Sequence, residues 1–581
     1  MRQTAPRVLL GLAAVAIMFA AADTYVVVLA LPDMMTTVGL DLDQLQRAAP
    51  IVSGFLLGYV GVLPLIGRIS DLRGRVPVLL GCLIVFAIGS VITAAAFDLP
   101  SIVAGRFIQG VGGGGLIPPT LALVADLWPP ERRGLPLGVV GAVQELGSVL
   151  GPLYGAVVLV FGTWRDIFWL NCAVGLVLAA AMVRMHDTDR QTPDRPGRLD
   201  HAGLAFGVLA IVGLALVMLE PDALTTGVMT GLAFLPVVGE SRWLTPVALT
   251  TLGVAAAFVV RQATARRPLL DWRGWTGLGR ETDLRGASML TVGLGAVIVA
   301  FASAEPESAA ISPNAPWLLP LAALAFAGFW WRQHTAPLPL IPRGALSARP
   351  AWGALVVSFF VGASLIAALV DIPFFARLTV HRESQLDAAL VLLRFLIALP
   401  IGAVLGGWLL RRVPAHVLTA VAMLLSALAF AHMATWDAES LKDQTETLSL
   451  VLGGLGFGLA IAPVNAALLE HTEGPVHGVA SALLIVARMV GMLLGISALT
   501  TIGLHAFYDA SAEIPPAAEL CDGAAAACQA YRDAVRDAGI TQLHAVFVGA
   551  AACAATAAVL ALGLLRPITA RTPSEAHDDL P

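Results

Sequence analysis

The sequence predicts an all-α integral membrane protein of about sixteen spans, two groups of six with four more helices between them. Three observations lead there. Of its 581 residues, 57% are hydrophobic and only 13% charged, about half the charged share of a soluble domain, which is roughly 25%. Apolar stretches of about 20 residues, enough to cross a hydrocarbon core about 30 Å thick, recur along the whole length. The polar punctuation in the middle of the chain also repeats itself.

The first six spans are expected at about 8–31, 48–67, 76–97, 101–127, 135–161 and 166–184. The last six are expected at about 351–376, 386–410, 414–434, 446–470, 477–506 and 541–566. This divides the chain into an N-terminal half 1–184, a central insert 185–350, a C-terminal half 351–566 and a tail 567–581. Arg2 and Arg7 precede the apolar stretch Val8 to Leu31, which is too long for a signal-peptide core and contains Asp23; it reads as the first span.

Within the insert, Asp200-His201-Ala202-Gly203 opens an apolar run that ends at Glu220-Pro221, and Asp283-Leu284-Arg285-Gly286 opens another that ends at Glu305-Pro306. Each is followed by a run that starts Trp-Leu-x-Pro, at Trp243 and at Trp317. Those runs end at Arg261-Gln262 and at Arg332-Gln333. Matching polar residues at both ends indicate a duplicated helical hairpin. The stretch 223–238 is apolar but broken by Gly and Pro, and reads as a loop or a re-entrant segment. With both termini in the cytoplasm, loops carrying Arg68, Arg73, Arg75, Arg132, Arg133, Arg261, Arg332, Arg411 and Arg412 all fall inside, as positive-inside bias requires. An odd number of inserted helices would break that pattern.

Several motifs occur in order on these spans. The first span ends Asp23-Thr24-Tyr25 through Leu31-Pro32, and the loop after the second reads Gly67-Arg68-Ile69-Ser70-Asp71-Leu72-Arg73-Gly74-Arg75. The fourth span carries Arg106-Phe107-Ile108-Gln109-Gly110. The fifth carries Gly147-Ser148-Val149-Leu150-Gly151-Pro152-Leu153-Tyr154-Gly155, and Trp164 to Asn171 follows it. Together they resemble the major facilitator superfamily, in its drug:proton antiporter branch with inserted central helices. Gln144 to Gly147, Phe395 to Trp408 and His477 to Leu499 resemble the mycobacterial triacylglyceride and multidrug exporters of that superfamily. The resemblance implies the major facilitator fold and a secondary-active exporter of lipids or hydrophobic drugs. It also implies a monomer in the plasma membrane, a lipid-binding lipoprotein of the LprG kind as partner, and gating by Gly67, Asp71, Gly74, Arg75, Gly147, Gly151, Pro152 and Gly155. The loop motif departs from the family at Leu72, where an Arg is usual, and the matching loop Gly406 to Arg412 lacks an acid.

Asp23, Arg106, Glu145, Asp371, Arg394 and Arg488 sit inside apolar spans. Each costs roughly 2.5–3.5 kcal/mol at a helix centre, so each should face a partner or a watery cavity. Structural pairing that only offsets this cost is the plain alternative, and Asp371 and Arg394 can also snorkel to an interface. At 100° per residue, Gly147, Gly151 and Gly155 share a stripe and Glu145 lies roughly opposite. Ser481, Arg488 and Gly495 share a face of span eleven, as Arg106, Gly110 and Gly113 do of span four. A carboxylate that meets a guanidinium in one state and loses it in another takes up and releases a proton. Glu145 or Asp23 against Arg488 is the expected coupling pair, with Arg106 and Asp371 as further transport residues.

No cofactor is expected beyond the proton gradient: the chain has no H-E-x-x-H, and Gly112 to Gly115 lacks the Lys-Ser/Thr of a phosphate loop. No basic block suggests nucleic acid. A lipid-modifying membrane enzyme would need a polar constellation near an interface, and none is evident. The segment Leu504 to Leu543 should form an external helical extension, since an apolar spacing of Tyr531, Val535 and Ala538 marks one helix face. In that compartment Cys521 and Cys528 are expected to form a disulfide at an Asp522-Gly523 turn; two free thiols are the alternative. Reporter fusions after residues 275 and 310 should read inside and outside respectively; the same side for both would mean that the second hairpin does not span.

Overall fold

The computed structural model describes residues 4–41, 45–189, 200–265, 277–302, 312–381, 384–516 and 529–566. Cys521 and Cys528, with the turn between them, lie outside the described residues. The first eight long helices are α1 Thr4–Thr37, α2 Leu45–Gly61, α3 Leu63–Arg73, α4 Arg75–Ala94, α5 Leu99–Gly114, α6 Ile117–Leu127, α7 Gly134–Phe161 and α8 Trp164–Asp189. The insert contributes α9 His201–Leu219, α10 Pro246–Thr264, α11 Leu284–Ala302 and α12 Ala315–Thr335. The last six are α13 Arg349–Leu378, α14 Gln385–Leu409, α15 Ala415–Met433, α16 Glu446–Glu470, α17 His477–Ala512 and α18 Gln529–Leu564.

Among the described residues, fifteen stretches are long and apolar enough to cross a membrane. The sixteenth helix, α12, is 21 residues long; Trp317, Trp330, Trp331 and Pro320 lower its hydropathy without shortening it. Two expected spans are each built from two helices. The second breaks at Val62 ahead of Pro64, which takes an early position in α3 where its missing N–H is no loss. The fourth breaks between Gly114 and Ile117, beside Pro118-Pro119.

The chain forms two compact units. The first holds the described residues of 1–123, 147–304 and 311–342; the second holds those of 124–146 and 343–581. In the first unit, helix backbones touch through glycine. A Cβ on Gly110 would stand 2.1 Å from the Phe55 carbonyl oxygen, and one on Gly58 2.1 Å from that of Phe107. In the second unit a Cβ on Gly491 would meet the Phe359 carbonyl at 2.0 Å, and one on Gly454 that of Phe395 at 2.1 Å. Inside a membrane, where apolar side chains gain little by leaving lipid, close backbone packing of this kind holds helices together.

The repeat in the insert becomes a repeated ion pair. Asp200 begins α9 and takes the Arg261 guanidinium from the end of α10 at 2.9 Å. Asp283 begins α11 and takes Arg332 from the end of α12, also at 2.9 Å. The Arg261 bond and the Gly203 amide hold the Asp200 carboxyl below the usual range. The stretch 223–238 is a turned loop, with a helical turn Asp222–Thr225 and a 3-10 turn Gly231–Phe234.

Glycine packing makes a direct prediction. Gly110→Ala should destabilise the protein in detergent by about 1–3 kcal/mol or more through overpacking. Gly81→Ala, whose Cβ would meet nothing within 4 Å, should leave stability unchanged or raise it, since Ala is the better helix former. Thermal unfolding of the two variants checks both.

Candidate functional site

Among the described residues, two groupings join charged side chains from different helices within the spans, one in each unit. In the first unit Asp23 on α1 is fully buried and held from two other helices. Arg106 on α5 donates to Asp23 Oδ2 at 2.5 Å. Gln109 on α5 and Asn171 on α8 donate to Oδ1 at 3.0 and 2.5 Å. Arg106 also donates to Gln109 Oε1 at 2.7 Å, and Gln109 to Ser90 Oγ on α4 at 3.0 Å. The guanidinium carbon lies 4.2 Å from the centre of the Phe55 ring and 5.6 Å from that of Phe168, a cation–π setting. Tyr154 on α7 donates to the Ile167 carbonyl at 3.0 Å, closing the same side.

Helix geometry explains why these residues meet. Arg106 and Gln109 are three apart and share a face of α5. The stripe Gly147, Gly151 and Gly155 brings α7 onto α1: a Cβ at the first two would stand 2.3 and 2.5 Å from the carbonyl oxygens of Met18 and Ala22, and one at Gly155 2.5 Å from Val26 Cγ2. Ala22 is the neighbour of Asp23, so the stripe sets the depth and rotation of the acid. The grouping is neutral overall, and all its carboxylate oxygens are occupied. Arg106 Nε alone has no hydrogen-bond partner.

The second grouping is looser. Glu145 Oε1 on α7 lies 3.9 Å from Arg488 Nη1 on α17, with the side chains 13% and 16% exposed. That is an ion-pair distance but too long for a hydrogen bond. Arg488 is placed by backbone contact, because Gly362 on α13 faces its carbonyl at 2.0 Å from a notional Cβ. Glu145 is placed by the first turns of α7. A Cβ on Gly134 or Gly138 would stand 2.7 or 2.4 Å from carbonyl oxygens of Gly407 and Ala403 on α14.

The other sequence candidates are distributed. Asp371 on α13 is half-buried and joins neither grouping. Arg394 is exposed and donates to Thr447 Oγ1 at 2.8 Å. Asp71 and Arg75 form a buried ion pair, and Arg75 also donates to Ser70 Oγ at 3.1 Å. Gly74 between them has φ +92°, a conformation that favours glycine. Gly67 is buried in α3, and Pro152 is exposed within α7. Asp23, proposed with Glu145 as a partner for Arg488, has Arg106 as its cation here. Gln109, Asn171 and Ser90 were missed as site residues. The first two stood within quoted motifs, but an uncharged amide announces itself weakly in sequence; Ser90 gave no signal.

Comparison with known proteins fits this architecture. The chain matches the profile of the Major Facilitator Superfamily over residues 13–496. The chain belongs to that superfamily and is a transporter, not an enzyme. Among curated relatives, the triacylglyceride transporter of Mycobacteroides abscessus is 35% identical over 86% of this chain and 82% of its own length. The triacylglyceride transporter of Mycobacterium tuberculosis is 34% identical, over 91% and 89% respectively. Among solved structures, the proton:xylose symporter XylE shares the fold at a TM-score of 0.54 and 12% identity, covering 97% of each chain. The human organic anion transporter MFSD10 gives a TM-score of 0.51 at 15% identity, covering 96% of this chain and 99% of its own.

The two groupings should respond differently to substitution. Removing one partner of a buried pair leaves an uncompensated charge and costs about 3–5 kcal/mol. Arg106→Ala should therefore lose that much stability, while Glu145→Gln, at a part-exposed pair, should lose about 1 kcal/mol or less. Thermal or denaturant unfolding in detergent measures both; equal losses would mean that Glu145 is as structural as Asp23.

Proposed function

We propose that the protein is a proton-coupled exporter that moves lipids or hydrophobic drugs out across the plasma membrane by alternating access, with Glu145 and Arg488 as its coupling pair. The single observation that carries this is their contact: two opposite charges inside apolar helices, close enough to attract, 3.9 Å apart and part-exposed. A pair retained only to offset burial would close to hydrogen-bond distance, as Asp23 and Arg106 do at 2.5 Å. Beside the guanidinium a carboxylate stays ionised; when that cation withdraws, an apolar cavity favours the protonated acid. Coupling follows if the two groups part in one of the transport states.

Asp23 and Arg106, with Gln109 and Asn171, then serve as a fixed polar brace in the first unit. Asp71 and Arg75 act at the cytoplasmic loop in gating, where Gly74 permits the turn. Arg bias supports a cytoplasmic location for both termini. The lipid substrate is supported by the name shared by the mycobacterial relatives, triacylglyceride transporter. A periplasmic lipoprotein is the partner proposed to receive the lipid. The second reading is a multidrug:proton antiporter without a lipid role, favoured by the antiporter-like motif Gly147 to Gly155.

Glu145→Gln and Arg488→Ala should each reduce export to background at normal expression, and wild-type export should collapse when the pH gradient is dissipated. Efflux of a fluorescent lipid and of a cationic dye, followed in parallel, separates the two substrate readings. Near-normal export by either variant removes that residue from the mechanism, and export that survives without a pH gradient removes proton coupling.

A further inference from the structure

The loop joining α9 to α10 is built inside out. Val228 and Met229 are 88% and 85% exposed, and Leu232, Leu235, Val237 and Val238 are 59–69% exposed. From Thr226 to Val238 no residue is ionisable, while Glu220 and Asp222 precede the stretch and Glu240 and Arg242 follow it. The segment is nonetheless ordered by its own bonds. Gly231 N–H donates to the Gly227 carbonyl at 2.7 Å, and Val237 N–H to the Leu244 carbonyl at 3.0 Å. Thr230 Oγ1 donates to the Leu224 carbonyl at 2.6 Å. A Cβ on Gly231 would stand 2.3 Å from the Thr225 carbonyl oxygen, so the turn closes tightly on itself.

Its base is tied to the first unit. Arg242 donates to the Met218 carbonyl at 3.0 Å and lies 3.6 Å from Glu220. Its guanidinium carbon sits 3.7 Å from the centre of the Phe97 ring, which also lies 6.3 Å from the Trp243 ring. A loop anchored in this way holds its apolar side chains outward instead of collapsing over them.

We propose that residues 226–238 form a lipid-binding wedge seated in the membrane interface at this end of the α9–α10 hairpin. The occupant is the bilayer because the exposed loop continues a surface that already faces lipid. Both α9 and α10 are 19 residues long, about one hydrocarbon thickness, and only 17% and 11% of their spanning windows are buried in protein. The loop therefore begins where the hydrocarbon ends. A tight turn keeps backbone groups that only water or headgroups satisfy, which limits its depth to the headgroup and upper acyl region. The charges at its two ends set the same limit: Asp222 and Glu240 are exposed and remain on the water side. The Trp243 ring, 49% exposed, lies at the boundary, where indoles concentrate.

Cysteines introduced singly at Val228, Met229 and Val238, in a chain whose five native cysteines are replaced, can be labelled with the environment-sensitive dye NBD. The labelled protein is then reconstituted in phosphatidylcholine–phosphatidylglycerol vesicles. All three labels should emit at shorter wavelength than labels at Asp222→Cys and Glu240→Cys. They should also lose intensity to nitroxides near the headgroup more than to nitroxides deep in the acyl chains. Water-like emission, quenched by aqueous iodide and not by lipid nitroxides, would overturn the proposal. So would a blue shift that disappears as lipid is added to dilute the protein, because the occupant would then be a second copy. If the cysteine replacements fail to fold, the unmodified protein can be photolabelled in vesicles holding a lipid with a diazirine near its headgroup. Adducts within 226–238 are expected, and their confinement to the helices would refute the wedge.

Discussion

The structure depends on a constraint set by the solvent: within hydrocarbon, a charge must find its partner inside the protein. Asp23 meets this with Arg106, Gln109 and Asn171. The cost of leaving any of them unpaired fixes the relative positions of α1, α5 and α8 far more tightly than apolar contact could. Glycine makes such pairing possible, since side chains this short in reach require backbones nearly in contact. Gly147 and Gly151 against Met18 and Ala22 show the two requirements acting together. The polar cluster specifies the register and the glycines supply the approach.

Glu145 is distinguished by how weakly the same constraint is met. Its helix carries glycines on both sides of it, Gly134 and Gly138 facing α14 in the second unit, and Gly147 to Gly155 facing α1 in the first. A carboxylate at 3.9 Å from its cation holds little of the hydrogen-bond energy that would make the pair rigid. A structural pair gains from closeness; a coupling pair must be able to come apart.

Much of this was legible in the sequence, for reasons that differ by residue. The membrane class follows from apolar runs that no soluble core could accommodate. The duplicated hairpin was visible through Asp200, Asp283, Arg261 and Arg332, because the residues that punctuate each copy also form its ion pair. Intramembrane acids and bases stood out by their cost, and Glu145 with Arg488 was among the expected pairs, but the partner of Asp23 was not legible. Asp23 and Arg106 are 83 positions apart, and only helix packing decides which cation reaches which acid. Gln109 and Asn171 were hidden because neutral amides carry a smaller penalty. The break at Val62 was hidden because proline and glycine are common enough in spanning helices to be read as tolerated.

The last two helices raise a question of scale. Each of α17 and α18 is 36 residues long, about 54 Å at 1.5 Å per residue, against a hydrocarbon core of about 30 Å. Tilts of up to about 40° absorb only part of the difference, so each rod must continue some distance into water. Gly503 and Gly549 bring the two rods together, facing Val546 and Leu499, so they move as one body where they are paired. A rigid shaft driven from its buried end works as a lever: a small rotation among the spans becomes a sweep of several ångströms at the free end. A conformational change in the bilayer would thus be carried along the paired rods and read out at a distance.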